Sequence, residues 1–307
     1  MSTETREREQ STTKRRKRGN GLVALVFLSP LLVIYLVYFL YSIFFLGQTS
    51  MQRVGISLLR PLEVGFENFA LLLADSVFWQ SIGNNLVYAA ISILAALTIA
   101  FFIAVSLSTG VRGRRIFYLV FLLPALMPVS LVATIFGSML QERFGVLNET
   151  LRAVGLGALA QSWLTEPGLA YAAVAVIFCY LIGLPVMYYT ADLAALPTSS
   201  LEAARIDGAG TFRIMRSIIY PMMRGTHITV ILALLLGSFR ALEQVLFSTD
   251  GGPGTTTEIV GTYLYGYVNS GGKTIGFASA ASIVVLLIAL VISLVQMYAT
   301  RIPKADR

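Results

Sequence analysis

Long stretches of this chain carry no charge at all. Ser76–Val111 holds 36 consecutive uncharged residues, Gly19–Gln52 holds 34 and Thr274–Thr300 holds 27. Ile116–Gln141 holds 26 and Pro167–Ala191 holds 25. An ionised side chain is costly at the centre of a bilayer, and about 20 apolar residues cross the hydrocarbon core. Each gap therefore predicts a crossing helix, centred on Leu22–Leu46, Ile82–Leu107, Phe117–Leu140, Ala170–Leu193 and Ile275–Tyr298. A sixth run, Thr226–Phe247, is long enough only if Arg240 and Glu243 lie within it as an i, i+3 ion pair. Ala153–Thr165 and Ile259–Gly272 are too short and too polar to cross, and read as interfacial or loop segments. The expected fold class is an all-α integral membrane protein with six transmembrane helices. Composition agrees: charged residues make up 13% of the chain, about half the usual share in soluble domains of ~25%. That excludes a soluble enzyme and, more firmly, a disordered chain.

The first span is no cleaved signal peptide, because its apolar core exceeds the about 7–15 residues of such a segment. Cys179 and His227 are the only residues of their kinds, which excludes an internal disulfide and a Cys/His zinc cluster.

The net charge of +7 is explained by orientation. Six crossings put both termini on one side. If that side is the cytoplasm, it holds Arg6, Arg8, Lys14–Arg18, Arg112, Arg114, Arg115, Arg205, Arg213, Arg216, Arg224, Arg301, Lys304 and Arg307. The outside holds Arg53, Arg60, Arg143, Arg152 and Lys273. This is the positive-inside pattern, N-in and C-in. The Lys14–Arg18 run is a membrane anchor on this reading, so no nucleic acid is expected as a partner. Residues 1–20 form a basic cytoplasmic tail, disordered over 1–13. Residues 21–300 form the membrane domain, and 301–307 a short cytoplasmic tail.

The connection between spans four and five, residues 197–221, carries the most pattern. Ser199 and Glu202 have capping-box spacing and predict a helix from Ser200. Gly208 and Gly210 supply a stop, and Thr211 can cap a second helix through Ile219. Pro221 permits a change of direction into span five. Two short surface helices joined by a glycine elbow result, with Arg213 and Arg216 on one face.

Glu202-Ala203-Ala204, Gly208 and then Ile218 and Pro221 resemble the E-A-A…G…I-x-L-P motif of bacterial ABC importer permeases. Tyr220 stands where that motif has Leu, and Asp207-Gly208-Ala209 is also typical of the family. Beyond span five, Thr249-Asp250-Gly251-Gly252-Pro253 resembles the T-x-G-G-P signature of the carbohydrate-uptake branch, first-subunit type as in maltose permeases. The resemblance covers about residues 20–300 and points to the bacterial cytoplasmic membrane. It implies a permease subunit of a binding-protein-dependent importer of a sugar, an oligosaccharide by preference, working by alternating access. The implied partners are a second homologous permease, two cytoplasmic ATPases, an extracytoplasmic solute-binding protein, the sugar and membrane lipid. It also implies a coupling role for Glu202, Ala203, Ala204, Asp207, Gly208, Ala209 and Arg213, with Glu202 serving docking, local capping or both. The chain has no G-x-x-x-x-G-K-[ST] loop. It is thus not itself an enzyme and binds no cofactor; ATP and Mg belong to the partner ATPase.

Candidate pathway residues are Tyr180, Ser238, Arg240, Glu243 and Gln244. An intramembrane ion pair is a functional hypothesis by default, and a pairing for assembly is the alternative. Tyr180 lies mid-span, where an aromatic face can stack on a sugar ring. Tyr188, Tyr189 and His227 lie near the inner boundary and read as interfacial. A permease for glycerol phosphate, or a secondary transporter or channel, are the competing readings. The surface lever argues against the last two, which have no use for it.

Overall fold

A computed structural model of the chain describes residues 19–55, 57–108, 113–269 and 274–299. The expected anchor at Lys14–Arg18 and tail over 1–13, together with Arg112, Lys273 and the C-terminal basic residues, lie outside the described residues. Among the described residues the regular structure is helical apart from a two-residue antiparallel pair, β1 (Gln52–Arg53) and β2 (Leu62–Glu63). Helix α1 is Gly19–Ser50, followed by α2 (Glu67–Ala74) and α3 (Ser76–Ser108). Next come α4 (Arg114–Leu126), α5 (Val129–Met139), α6 (Val146–Ala153), α7 (Pro167–Tyr180) and α8 (Gly183–Ala195). The rest are α9 (Thr198–Ile206), α10 (Thr211–Met222), α11 (Arg224–Phe239), α12 (Glu243–Leu246), α13 (Val260–Asn269) and α14 (Ile275–Ala299).

Four stretches among the described residues are long and apolar enough to cross a membrane: Leu25–Ser50, Ser76–Ser108, Pro167–Ala195 and Ile275–Tyr298. The count reaches six if two bent pairs are each one crossing. The third expected span is such a pair, because α4 and α5 meet at 96°. Met127 is extended (φ −80°, ψ 146°) and Pro128 follows it. The Pro128 ring crowds the residue before it out of the helical region, so the proline breaks this helix instead of kinking it. The second pair is α10 and α11, bent by 68°.

Helix α1 shows why the solvent must be lipid. None of its apolar window is buried, and Leu31, Tyr35, Tyr38 and Phe44 are all more than half exposed. A helix apolar all round needs an apolar surrounding. α1 packs along α14 and leaves its other sides bare.

Helix α3 is the axis of the rest. At about 1.5 Å per residue its 33 residues extend roughly 50 Å. Near its start, Phe78 and Ile82 pack with Val260, Tyr263 and Phe277. In the middle, fully buried Tyr88 packs with Val174, Val245 and Ile259. Near its end, Phe101, Ala104 and Leu107 pack with Tyr189, Met215, Met223 and Ala204 of the elbow. The elbow and the 249–260 loop therefore sit at opposite ends of one rigid helix.

Ile259–Gly272, read from sequence as too short to cross, holds the ten-residue helix α13, which is not among the candidate spans. Ile259, Val260 and Tyr263 are buried, and the Tyr263 and Tyr267 hydroxyls donate to Asp75 Oδ2 at 2.8 and 3.0 Å. Asp75 also caps α3, accepting from the Val77 N–H at 2.9 Å. Burial works to raise the Asp75 pKa, but the tyrosine and backbone donors outweigh it and hold the carboxyl below its ordinary 3.8. Its stabilising contribution is thus complete above the unfolded-state value of about 3.9 and is lost as pH falls through the lower folded value. Hydrogen exchange should show α13 and the first turn of α3 opening together only under acid. Asp75→Ala should bring that opening to neutral pH, with about 1 kcal/mol lost from the cap alone.

Candidate functional site

At the elbow, α9 starts at Thr198 with Pro197 in the cap position and no side-chain cap. Ser199 lies inside the helix, so the expected capping box does not form. The preset φ of Pro197 leads straight into the helix and starts it two residues early. Glu202 is released from local duty: it is exposed and, among the described residues, makes no hydrogen bond or ion pair. α9 ends in a Schellman turn. The Ala209 N–H bonds the Ala204 carbonyl at 2.9 Å and the Gly208 N–H bonds the Arg205 carbonyl at 3.0 Å. Gly208 takes φ +75°, which an L side chain resists. Gly210, not Thr211, occupies the cap position of α10.

The turn divides the elbow into two faces. Ala204, Ile214, Met215 and Ile219 are buried against α3 and α8. Glu202, Ala203, Asp207, Gly208 and Arg213 face outward. With them stand Ile206, 86% exposed, and Phe212, 64% exposed, two large apolar side chains that sequence reasoning passed over. α10 widens into a π turn over Met215–Ile219. That is where the ring of Pro221 would otherwise meet the carbonyl four residues back.

The second region is the end of α11. The helix stops at Phe239, Arg240 caps it, and α12 begins at Glu243. The expected continuous span through Phe247 and its internal ion pair are both absent. Glu243 Oε2 accepts from the Ser130 N–H at 2.7 Å, in the first turn of α5, where helix amides favour a carboxylate. Arg240 is exposed and makes no ion pair among the described residues. Gly261 packs on the break so closely that a Cβ there would lie 2.1 Å from the Ala241 carbonyl oxygen.

A cavity of about 200 Å³ lies beside the break, lined by Ser92, Phe178, Tyr188, Ser238 and Gln244 among others. It brings together Ser238 and Gln244 of the sequence candidates and leaves out Tyr180, Arg240 and Glu243. Tyr180 is 42% exposed and meets Phe136 edge-on at 5.2 Å. Tyr188 lines the cavity instead, although its place in the sequence suggested a boundary aromatic. Phe178 continues into a stack, with Tyr88 between Phe178 (5.0 Å) and Tyr171 (4.7 Å).

Helix α3 ties this region to the glycine-rich loop. The Asn84 amide donates to the Thr256 and Glu258 carbonyls at 2.9 and 2.7 Å, and Gln80 donates to Thr255 at 2.9 Å. Asn85, wholly buried, donates to the Ser238 carbonyl and accepts from the Val260 N–H at 2.8 Å. One amide thus joins the last turn of α11 to the first residue of α13. Within the loop, Thr257 bonds Thr249 and the Gly252 carbonyl, each at 2.7 Å. Three polar residues on one apolar helix, Gln80, Asn84 and Asn85, were the sequence signal for this.

His227, expected at the interface, is 8% exposed. Its Nε2 lies 3.0 Å from the Tyr220 carbonyl and its Nδ1 2.9 Å from the Tyr189 hydroxyl. A carbonyl can only accept, so Nε2 carries the proton, and Nδ1 of the neutral ring accepts from tyrosine. One residue earlier, the Thr226 hydroxyl donates to Asp192.

Residues 96–303 match the family of binding-protein-dependent transport system inner membrane components. The chain is similar to the probable ABC transporter permease protein YurN of Bacillus subtilis, 31% identical over 76% of this chain and 81% of that one. The lactose transport system permease protein LacF of Rhizobium radiobacter is 26% identical over 95% and 97%. A crystallised bacterial alginate ABC transporter, complexed with a periplasmic protein carrying an alginate pentasaccharide, contains a chain of the same fold. Its TM-score is 0.75 at 22% identity, covering 94% of this chain and 96% of that chain.

Asn85→Leu leaves the buried Val260 amide unpaired, at about 1–3 kcal/mol, and leaves the Ser238 carbonyl with only its backbone donors such as the Ala241 N–H. Thermal unfolding of the detergent-solubilised protein should show a markedly lower midpoint, and Gln80→Leu, at an exposed position, a small change.

Proposed function

Because the chain belongs to the family of binding-protein-dependent transport system inner membrane components, we propose that it is one permease subunit of an ATP-driven sugar importer of the bacterial cytoplasmic membrane. It has six crossings, the bent pairs counting as one each, with both termini in the cytoplasm. Residues 21–300 are its permease domain, and a second, homologous permease is its partner. Two ATPase subunits supply ATP hydrolysis, and an extracytoplasmic binding protein delivers the solute. The transport functions of relatives, lactose transport among them, support a carbohydrate, and an oligosaccharide is the preferred class.

The observation that carries the reading is the two-faced elbow. Its inner face is packed against α3 and α8, and its outer face presents Glu202 and Ala203 together with the exposed apolar side chains Ile206 of α9 and Phe212 of α10. A charge flanked by exposed apolar side chains on a short rigid helix suits insertion into a partner's cleft. Glu202, Ala203, Asp207, Gly208 and Arg213 meet the ATPase, while Ala204 and Ala209 seat the elbow. Movement of the elbow passes along α10 and α3, which reaches the glycine-rich loop at its other end, and alternates access to the cavity.

Ser238, Gln244 and Tyr188 are the proposed solute contacts. The cavity of about 200 Å³ falls below the ~300–1,000 Å³ of most ligand sites, so the second permease supplies the rest. Glu243 is committed to Ser130, which leaves Arg240 without a counter-charge among the described residues. That favours, as a second reading, an anionic solute such as a sugar or glycerol phosphate.

Two measurements test these assignments. Glu202→Lys, made in the whole complex, should cut binding-protein-stimulated ATP hydrolysis at least about tenfold, equivalent to ~1.4 kcal/mol, with the permease still at normal abundance in the membrane. Full stimulation would sink the docking role. Arg240→Met, measured in uptake assays over a panel of neutral and phosphorylated sugars, should spare the neutral ones. A selective loss of phosphorylated sugars would establish the anionic reading instead.

A further inference from the structure

Between the elbow and the cavity the chain passes through one polar joint. α8 contributes Tyr189, α10 contributes the Tyr220 carbonyl just before the 68° bend, and α11 contributes His227 just after it. The three meet in an otherwise apolar cluster. Phe101 of α3 lies edge-on to Tyr189 (5.6 Å), Tyr220 (5.1 Å) and His227 (5.8 Å). The Tyr220 ring lies 4.2 Å from the imidazole. Tyr189 and Met223 are wholly buried, and His227 nearly so.

The geometry points to His227 as a positioning residue that makes the bend between α10 and α11 rigid, so that displacement of the elbow turns the cavity helices. This rests on the permease reading above. The Nε2–H holds the carbonyl on the far side of the bend, at a fixed distance from the ring that Nδ1 anchors to α8. The hydrogen bonds therefore span all three helices through one planar group with no internal rotation between its two nitrogens. Tyr188, beside Tyr189 on α8, and Val230, one turn along α11 from His227, both line the cavity. A hydrocarbon side chain would fill the same space but leave the bend free to flex.

The test uses the complete complex in liposomes, with Ala233→Cys, which lines the cavity and is no proposed solute contact, as a reporter in a Cys179→Ser background. Its modification from outside by a membrane-impermeant methanethiosulfonate is timed with and without ATP. In this parent, ATP should change the rate at least about tenfold. His227→Phe keeps ring volume and loses both bonds. It should reduce the response to less than twofold while basal ATP hydrolysis persists. Tyr189→Phe should give an intermediate response. His227→Gln offers an amide N–H and a carbonyl at similar spacing and should restore most of the response. A His227→Phe complex that hydrolyses ATP and keeps the parent's full response overturns the inference alone. So does one that recovers no better as Gln than as Phe. A parent with no response to ATP sinks the permease reading, and this inference with it.

Discussion

A backbone carbonyl or amide removed from water must find a partner inside the protein, and this requirement governs where the helices can break. At the end of α11 the chain leaves the helix for three residues beside a largely apolar cavity. The interruption is tolerable because Asn85 takes the Ser238 carbonyl and the Val260 amide together. Gly261 lets α13 close over the gap without a side chain in the way. The break and the start of α13 meet at that one buried amide, while Gln80 and Asn84 hold the glycine-rich loop beside it.

The same rule operates at the other end of α3. Around the α10–α11 bend the imidazole of His227 takes the Tyr220 carbonyl, as the Asn85 amide takes the Ser238 carbonyl at the break after α11. Both residues are polar side chains on apolar helices, and both are held by a second bond to another element. α3 runs between them as an unbroken axis, relieved only by a wider turn at Ala96–Ala100. The elbow and the glycine-rich loop are thereby both held by one continuous helix.

Much of this was legible beforehand, because lipid leaves a strong trace in composition. Charge-free gaps located the long helices, and the glycines of the elbow marked a turn that Gly208 makes at φ +75°. Side-chain pairing was less legible. Arg240 and Glu243 have helical spacing, but spacing guarantees contact only if the helix continues. It does not, and Glu243 reaches the amide of Ser130, 113 residues away in sequence. Ser199 and Glu202 have capping-box spacing, yet Pro197 starts the helix too early for them to use it. Tyr188 and Tyr189 differ by one position, and only packing turns one toward the cavity and the other toward His227.

What the amino-acid order determined alone was therefore the solvent of each segment and the places where the backbone had to turn. Transfer cost and glycine or proline geometry are local properties that need no partner. The tertiary structure decided which turns became breaks, which polar groups close them and which candidate residues share a cavity. Each of those depends on a donor or acceptor distant in sequence, and a buried polar group is stable only once that partner is in place.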